Sequence, residues 1–161
     1  MIKEFVKAWD INKAKLEEYI KTHKQEEYDS YEKLVKILFQ IVINPYFKEI
    51  LRLDVWDCEY IHVIDDGDYQ GTQIFLIPST PYQPTVEDYV ITHQYYGSCS
   101  GCDTLLAIMN YDKGIPTEEQ VKDYMTLELH ILQRCKYLSD GNDSQEVLEW
   151  DEENKKINLE F

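Results

Sequence analysis

The apolar residues of this chain change their spacing near Val55, and that change restricts the fold more than any other feature. Before it, Ile11, Leu16, Tyr19 and Ile20, then Leu34, Val35, Leu38, Phe39, Ile41 and Val42, recur at intervals that put side chains on one face of a helix. After it, Cys58–Ile64 and Thr72–Ile77 are rich in β-branched and apolar residues. They flank Asp65-Asp66-Gly67-Asp68-Tyr69-Gln70-Gly71, a run of turn formers that predicts a hairpin with a long acidic tip. Helices in one block and strands in the next predict an α+β domain.

The punctuation supplies the boundaries. Asp10 is placed to cap the first helix, and Asp29-Ser30-Tyr31-Glu32 has the form of a capping box with Asp29 in the cap role. Asn44-Pro45 is expected to stop the second helix, because proline lacks the N–H a helix interior needs. Pro78, Pro81 and Pro84 predict an irregular connection, and Tyr89–Tyr96 a third strand that ends on Gly97-Ser98-Cys99-Ser100-Gly101-Cys102. Thr104–Met109 reads as a short buried helix starting at Cys102 and Asp103. Lys113-Gly114-Ile115-Pro116 breaks it, and the capping box Thr117-Glu118-Glu119-Gln120 opens a long helix carrying Val121, Tyr124, Met125, Ile131, Leu132, Cys135 and Leu138. Val147–Trp150 and Ile157–Phe161 alternate as a terminal hairpin or edge strands would. The expectation is one domain over residues 1–161, with N-terminal helices and a long later helix packed on a small antiparallel sheet.

Charge narrows the partners. The net charge is −15, and it is unevenly spread. Residues 1–52 hold 10 Lys and Arg against 9 Asp and Glu, residues 53–112 hold none against 10, and residues 113–161 hold 6 against 12. A surface built from the base-free segment repels nucleic acid and anionic membrane and attracts basic proteins or divalent cations. No apolar segment reads as a leader or a membrane span, which points to the cytoplasm. Four cysteines in that compartment are expected to be reduced, metal-bound or redox-active rather than a disulfide framework.

Two constellations could carry chemistry. Cys99-Ser-Gly-Cys102 puts two thiols a turn apart between a strand and a helix, which suits redox exchange or half of a zinc site. Zinc would need completion by Cys58, His62, His93, His130 or Cys135, with His93 the favoured third ligand, and only one of the pairs is short-spaced. The plain alternative is a tight joint made possible by its glycines and serines. No catalytic residues are assigned and no cofactor is expected, zinc on this turn being the alternative. An enzyme would require His93 or His130 to meet Cys99. The second constellation is the acidic hairpin tip, Asp65, Asp66, Asp68 and Tyr69, with Tyr82, Tyr89, Tyr95 and Tyr96 near it in sequence. Carboxylates and rigid tyrosines without a cation suit a basic protein partner.

Around Tyr96-Gly97-Ser98-Cys99-Ser100-Gly101-Cys102-Asp103-Thr104-Leu105, with Tyr124-Met125-Thr126-Leu127 and His130 downstream, the chain resembles small uncharacterised acidic proteins of bacteriophages and prophages. The resemblance rests on about a quarter of the chain and brings no catalytic residues. It implies the cytoplasm of a bacterial host and an accessory, anti-defence role by stoichiometric binding. The functional expectation is therefore a non-enzymatic acidic inhibitor whose partner surface is Asp65, Asp66, Asp68, Tyr69, Tyr95 and Tyr96. A thiol or zinc protein centred on Cys99 and Cys102 is the alternative.

Overall fold

The computed structural model of the chain describes residues 2–80 and 83–140. The alternating segments at Val147–Trp150 and Ile157–Phe161, and Tyr82, lie outside the described residues. Helices and a four-stranded antiparallel sheet make an α+β fold, as the change of period predicts.

Helix α1 (Ile2–Thr22) begins well before Asp10. Phe5, Ala8, Trp9, Asn12, Leu16 and Ile20 are buried at three- and four-residue spacing, so the buried face already begins at Phe5, N-terminal of the expected cap. Asp10 instead forms an ion pair with Lys13, 3.8 Å away on the exposed face. Helix α2 (Tyr31–Ile37) is capped by Ser30, whose hydroxyl accepts from the Lys33 N–H, while Asp29 pairs with Lys33 at 2.7 Å. The cap thus sits one residue later than the sequence pattern suggests.

Asn44-Pro45 does not stop the helix. The chain passes from α2 through a π-helical stretch, Leu38–Ile43, into α3 (Asn44–Tyr46) and a second π-helical stretch, Phe47–Leu51. Wide turns on both sides of Pro45 accommodate its missing N–H and its ring. The buried Asn12 side chain adds a donor to this irregular backbone, 2.9 Å from the Val42 carbonyl. The helix ends at Arg52, which has φ 59°. Asn44 then holds the returning chain from both sides: its Nδ2 donates to the Trp56 carbonyl and its Oδ1 accepts the Trp56 N–H. Trp56 completes an edge-to-face aromatic cluster with Phe5, Phe39 and Phe47 at ring distances of 4.8–5.9 Å.

The sheet runs in the order β1 (His62–Asp65), β2 (Gly71–Pro78), β3 (Tyr89–Tyr96), β4 (Lys136–Tyr137), every neighbour antiparallel. Pro78 is the last residue of β2, a position where ladder pairing is ending. Helix α4 (Thr104–Met109) follows β3, and α5 (Glu118–Gln133) opens on the Thr117 capping box. Helix α5 packs against α1 and β3, and the Thr92 hydroxyl of β3 donates to the Ile131 carbonyl at 2.9 Å. It is shorter than the apolar pattern implies: Cys135 lies beyond its end, and the chain turns at once into β4, pairing Val90 with Tyr137.

One buried residue on α5 opposes the packing around it. Glu128 is fully buried, and neither carboxyl oxygen has a hydrogen-bond partner among the described residues. Burial pushes its carboxyl well above the ordinary 4.5, which favours the neutral acid. A raised folded-state value means that its relative stability is greatest below the ordinary carboxylate range and is lost as pH rises. Glu128→Leu is expected to stabilise the fold by about 1–3 kcal/mol at pH 8 and by less at pH 4.5. Urea unfolding at the two pH values checks this, and an equal gain at both would contradict it.

Candidate functional site

The end of the sheet where β1 leaves and β3 arrives carries both features singled out in the sequence. Gly71 pairs with Tyr96, so the hairpin tip joining β1 to β2 lies at the same end as the turn that follows Tyr96. The two are held by different bonds.

The cysteine turn is anchored from beneath by Asp103. This buried carboxylate caps α4, Oδ1 accepting the Leu106 N–H at 3.1 Å and the Tyr31 hydroxyl at 2.9 Å. Its Oδ2 accepts the Gly97 N–H at 2.9 Å. The Tyr31 hydroxyl in turn accepts the Leu105 N–H at 3.1 Å. Gly97 is required by closeness: a Cβ there would meet the Cys102 sulfur and carbonyl oxygen at 2.6 Å. The turn is thus a built joint, and it also brings the thiols together. The Cys99 and Cys102 sulfurs are 2.7 Å apart, both as free thiols.

The two thiols differ. Cys99 is exposed and Cys102 half-buried. The Cys99 side chain, with backbone bonds from Cys99 and Ser98 and the Ser98 hydroxyl, favours the Cys102 thiolate and lowers its pKa against the opposing effect of burial. The Cys99 N–H lies 3.1 Å from the Cys102 sulfur. Cys58 and Cys135 are buried, and burial pushes their thiols up to about 11 and about 12. A cleft of about 200 Å³ opens beside Cys99, lined by Ser98, Ser100, Leu106, Met109, Tyr111 and Lys113. Asn110 and Tyr111, at φ 47° and 62°, turn the chain over its rim.

The acidic tip is tied down from inside. Asp65 accepts the Tyr96 hydroxyl at 2.6 Å, the Gly67 N–H at 3.0 Å and the Gln73 side-chain N–H at 3.2 Å. The Tyr96 bond, chiefly, lowers the Asp65 pKa. The same hydroxyl lies 2.8 Å from the Gly67 carbonyl, Asp66 accepts the Thr72 N–H at 2.8 Å, and Tyr95 reaches Gln70 at 3.3 Å. Tyr69 is left pointing outward, 82% exposed. Asp65, Asp66, Tyr95 and Tyr96 therefore build the loop, while Asp68 and Tyr69 stand on its exposed surface. The Tyr96 lock was not readable from sequence, since Asp65 and Tyr96 are 31 residues apart.

His93 is buried in β3 opposite Ile74, and burial, with Arg134 and Lys136, lowers its pKa to about 3. Among the described residues no three His, Cys, Asp or Glu side chains converge as metal ligands, so the structure brings Cys99 and Cys102 together without His93. Comparison with protein-family models, curated proteins and solved structures found no match to this chain.

Two substitutions test these locks. Tyr31→Phe removes one donor from the buried Asp103 carboxylate and the acceptor of Leu105, and is expected to cost about 1–3 kcal/mol in urea unfolding. Tyr96→Phe is expected to move the Asp65 titration upward, read by NMR of the side-chain carboxyl. Because the folded-state value is depressed, the stabilising contribution of this bond is present above the ordinary carboxylate range and is lost as pH falls.

Proposed function

We propose that this protein binds a basic protein surface through the hairpin end of its sheet, a non-enzymatic role at that site. The observation that carries the reading is Tyr69, held outward on a loop whose backbone is fixed by Asp65, Asp66 and Tyr96. An aromatic anchor on a preorganised loop binds with little loss of conformational freedom. Asp68 beside it, and the absence of Lys and Arg from residues 53–112, give the charge that steers a basic partner and disfavours direct contact with nucleic acid or anionic membrane. The resemblance around Tyr96–Leu105 supports a phage or prophage accessory protein that works in the cytoplasm of a bacterial host, with anti-defence inhibition as its role.

The structure changes which substitutions are informative. Replacing Asp65 or Asp66 would disturb the loop as well as its charge, whereas Asp68→Asn with Tyr69→Ala alters only its outer surface. With a partner isolated by cross-linking in the host and then purified, the double variant is expected to bind at least about tenfold more weakly by calorimetry, with unchanged melting. Wild-type affinity is expected to fall as salt rises. Equal affinity of variant and wild type would place the interface elsewhere.

A further inference from the structure

Function at the hairpin tip leaves the thiol pair unused, and its geometry is that of a reactive site. Two free sulfurs sit within 2.7 Å of each other, one exposed and one half-buried, beside a cleft whose surface is mostly apolar and includes Leu106, Met109 and Tyr111. The remaining cysteines, Cys58 and Cys135, are buried in the core. We propose that Cys99 and Cys102 form a thiol–disulfide exchange pair for disulfides flanked by apolar groups, with Cys99 meeting the substrate in the cleft and Cys102 resolving the mixed disulfide.

The roles follow from position. The Cys99 sulfur is the one a substrate can reach, and the Cys102 sulfur is closed in by Gly97 on one side and Cys99 on the other. In the forward direction the Cys99 thiolate attacks a substrate R–S–S–R′, forming Cys99–S–S–R and releasing R′–S⁻. Cys102, as thiolate, then attacks the Cys99 sulfur, forming the Cys99–Cys102 disulfide and releasing R–S⁻. The two thiol protons pass to the departing thiolates, so the substrate disulfide gains the two electrons that the pair loses. In reverse, an incoming thiolate attacks Cys99 and Cys102 leaves. The Cys99 N–H and the Ser98 groups, which remain as donors while the Cys99 sulfur is held in the mixed disulfide, stabilise that leaving thiolate. These donors belong to the turn itself.

Exchange of the reduced full-length protein with glutathione disulfide tests the assignment, with intact mass and peptide mapping after acid quenching as the readout. The wild type is expected to lose two hydrogens and map as a Cys99–Cys102 disulfide. Cys102→Ser is expected to stop at the mixed disulfide, with about one glutathione on Cys99, and Cys99→Ser to react about tenfold more slowly or less. Glutathione accumulating on Cys102 would overturn the roles. Reaction no faster than at the buried Cys58 and Cys135, or stoichiometric zinc that protects both thiols, would overturn the exchange pair. Tyr111→Ala, at a residue 93% exposed and so harmless to the core, and Leu106→Ala test the cleft. Each is expected to lower the ratio of the exchange rate with a leucine-flanked peptide disulfide to that with glutathione disulfide about tenfold. An unchanged ratio would overturn the substrate class.

Discussion

The Asp103 carboxylate joins more of this fold than any other single group. It accepts from Tyr31 at the start of α2, from Gly97 just after β3, and from Leu106 in the first turn of α4. A buried carboxylate is costly unless its lone pairs are filled, and hydrogen bonds to a charged group are each worth about 1.5–3 kcal/mol. Three donors from three elements meet that need only when the helices, the strand end and the turn are all in place. The tightness of the cysteine turn, and with it the closeness of the two sulfurs, is a consequence of this arrangement.

The same chemistry recurs along the base-free segment and changes the meaning of its charge. Of its 10 acidic residues, Asp57, Asp65, Asp66, Asp88, Asp103 and Asp112 each accept a backbone N–H in a turn or cap. Aspartate is suited to this work because its short side chain reaches nearby backbone, two or three residues away at Asp57, Asp65, Asp88 and Asp112 and six away at Asp66 and in the Asp103–Gly97 bond. Glu59 pairs across to Lys36 at 2.8 Å, borrowing its cation from α2. Much of the acidity is therefore engaged in turning the chain, and Asp68, exposed at the hairpin tip, stands outside that set.

Local signals in the sequence were sufficient where one boundary residue decides an element. Strand β3 and helix α4 fall on the residues expected, between the proline-rich connection, Gly97 and the Asp103 cap. The capping box at Thr117 opens α5 as written. The misreadings occur where tertiary packing overrides such signals. Asp10 looks like a cap but lies in a helix whose buried face begins at Phe5, and Pro45 is absorbed by π-helical turns because the aromatic cluster of Phe39, Phe47 and Trp56 packs on both sides of it. In the site, the sequence put Cys99 and Cys102 near each other but could not separate their roles, because the cleft beside Cys99 is made by α4 and the chain just beyond it. The hairpin tip was recognisable as acidic and aromatic. Which of its residues brace the loop depends on Tyr96, on a different strand.

An acidic neighbourhood would be expected to keep thiols protonated, and Asp103 is next in sequence to Cys102. Here direction outweighs proximity. The Asp103 carboxylate is turned toward Tyr31, Gly97 and Leu106, and its charge is spent on those donors. The hairpin carboxylates are exposed, where two unit charges even 4 Å apart interact by only about 1 kcal/mol in water and are screened beyond about 8 Å at physiological salt. Against these diffuse effects, Cys102 has a thiol, a backbone N–H and the Ser98 groups aimed at one sulfur. A few oriented donors at contact distance outweigh a larger number of screened charges, so a thiolate can form at the end of a sheet whose surface is otherwise built to repel anions.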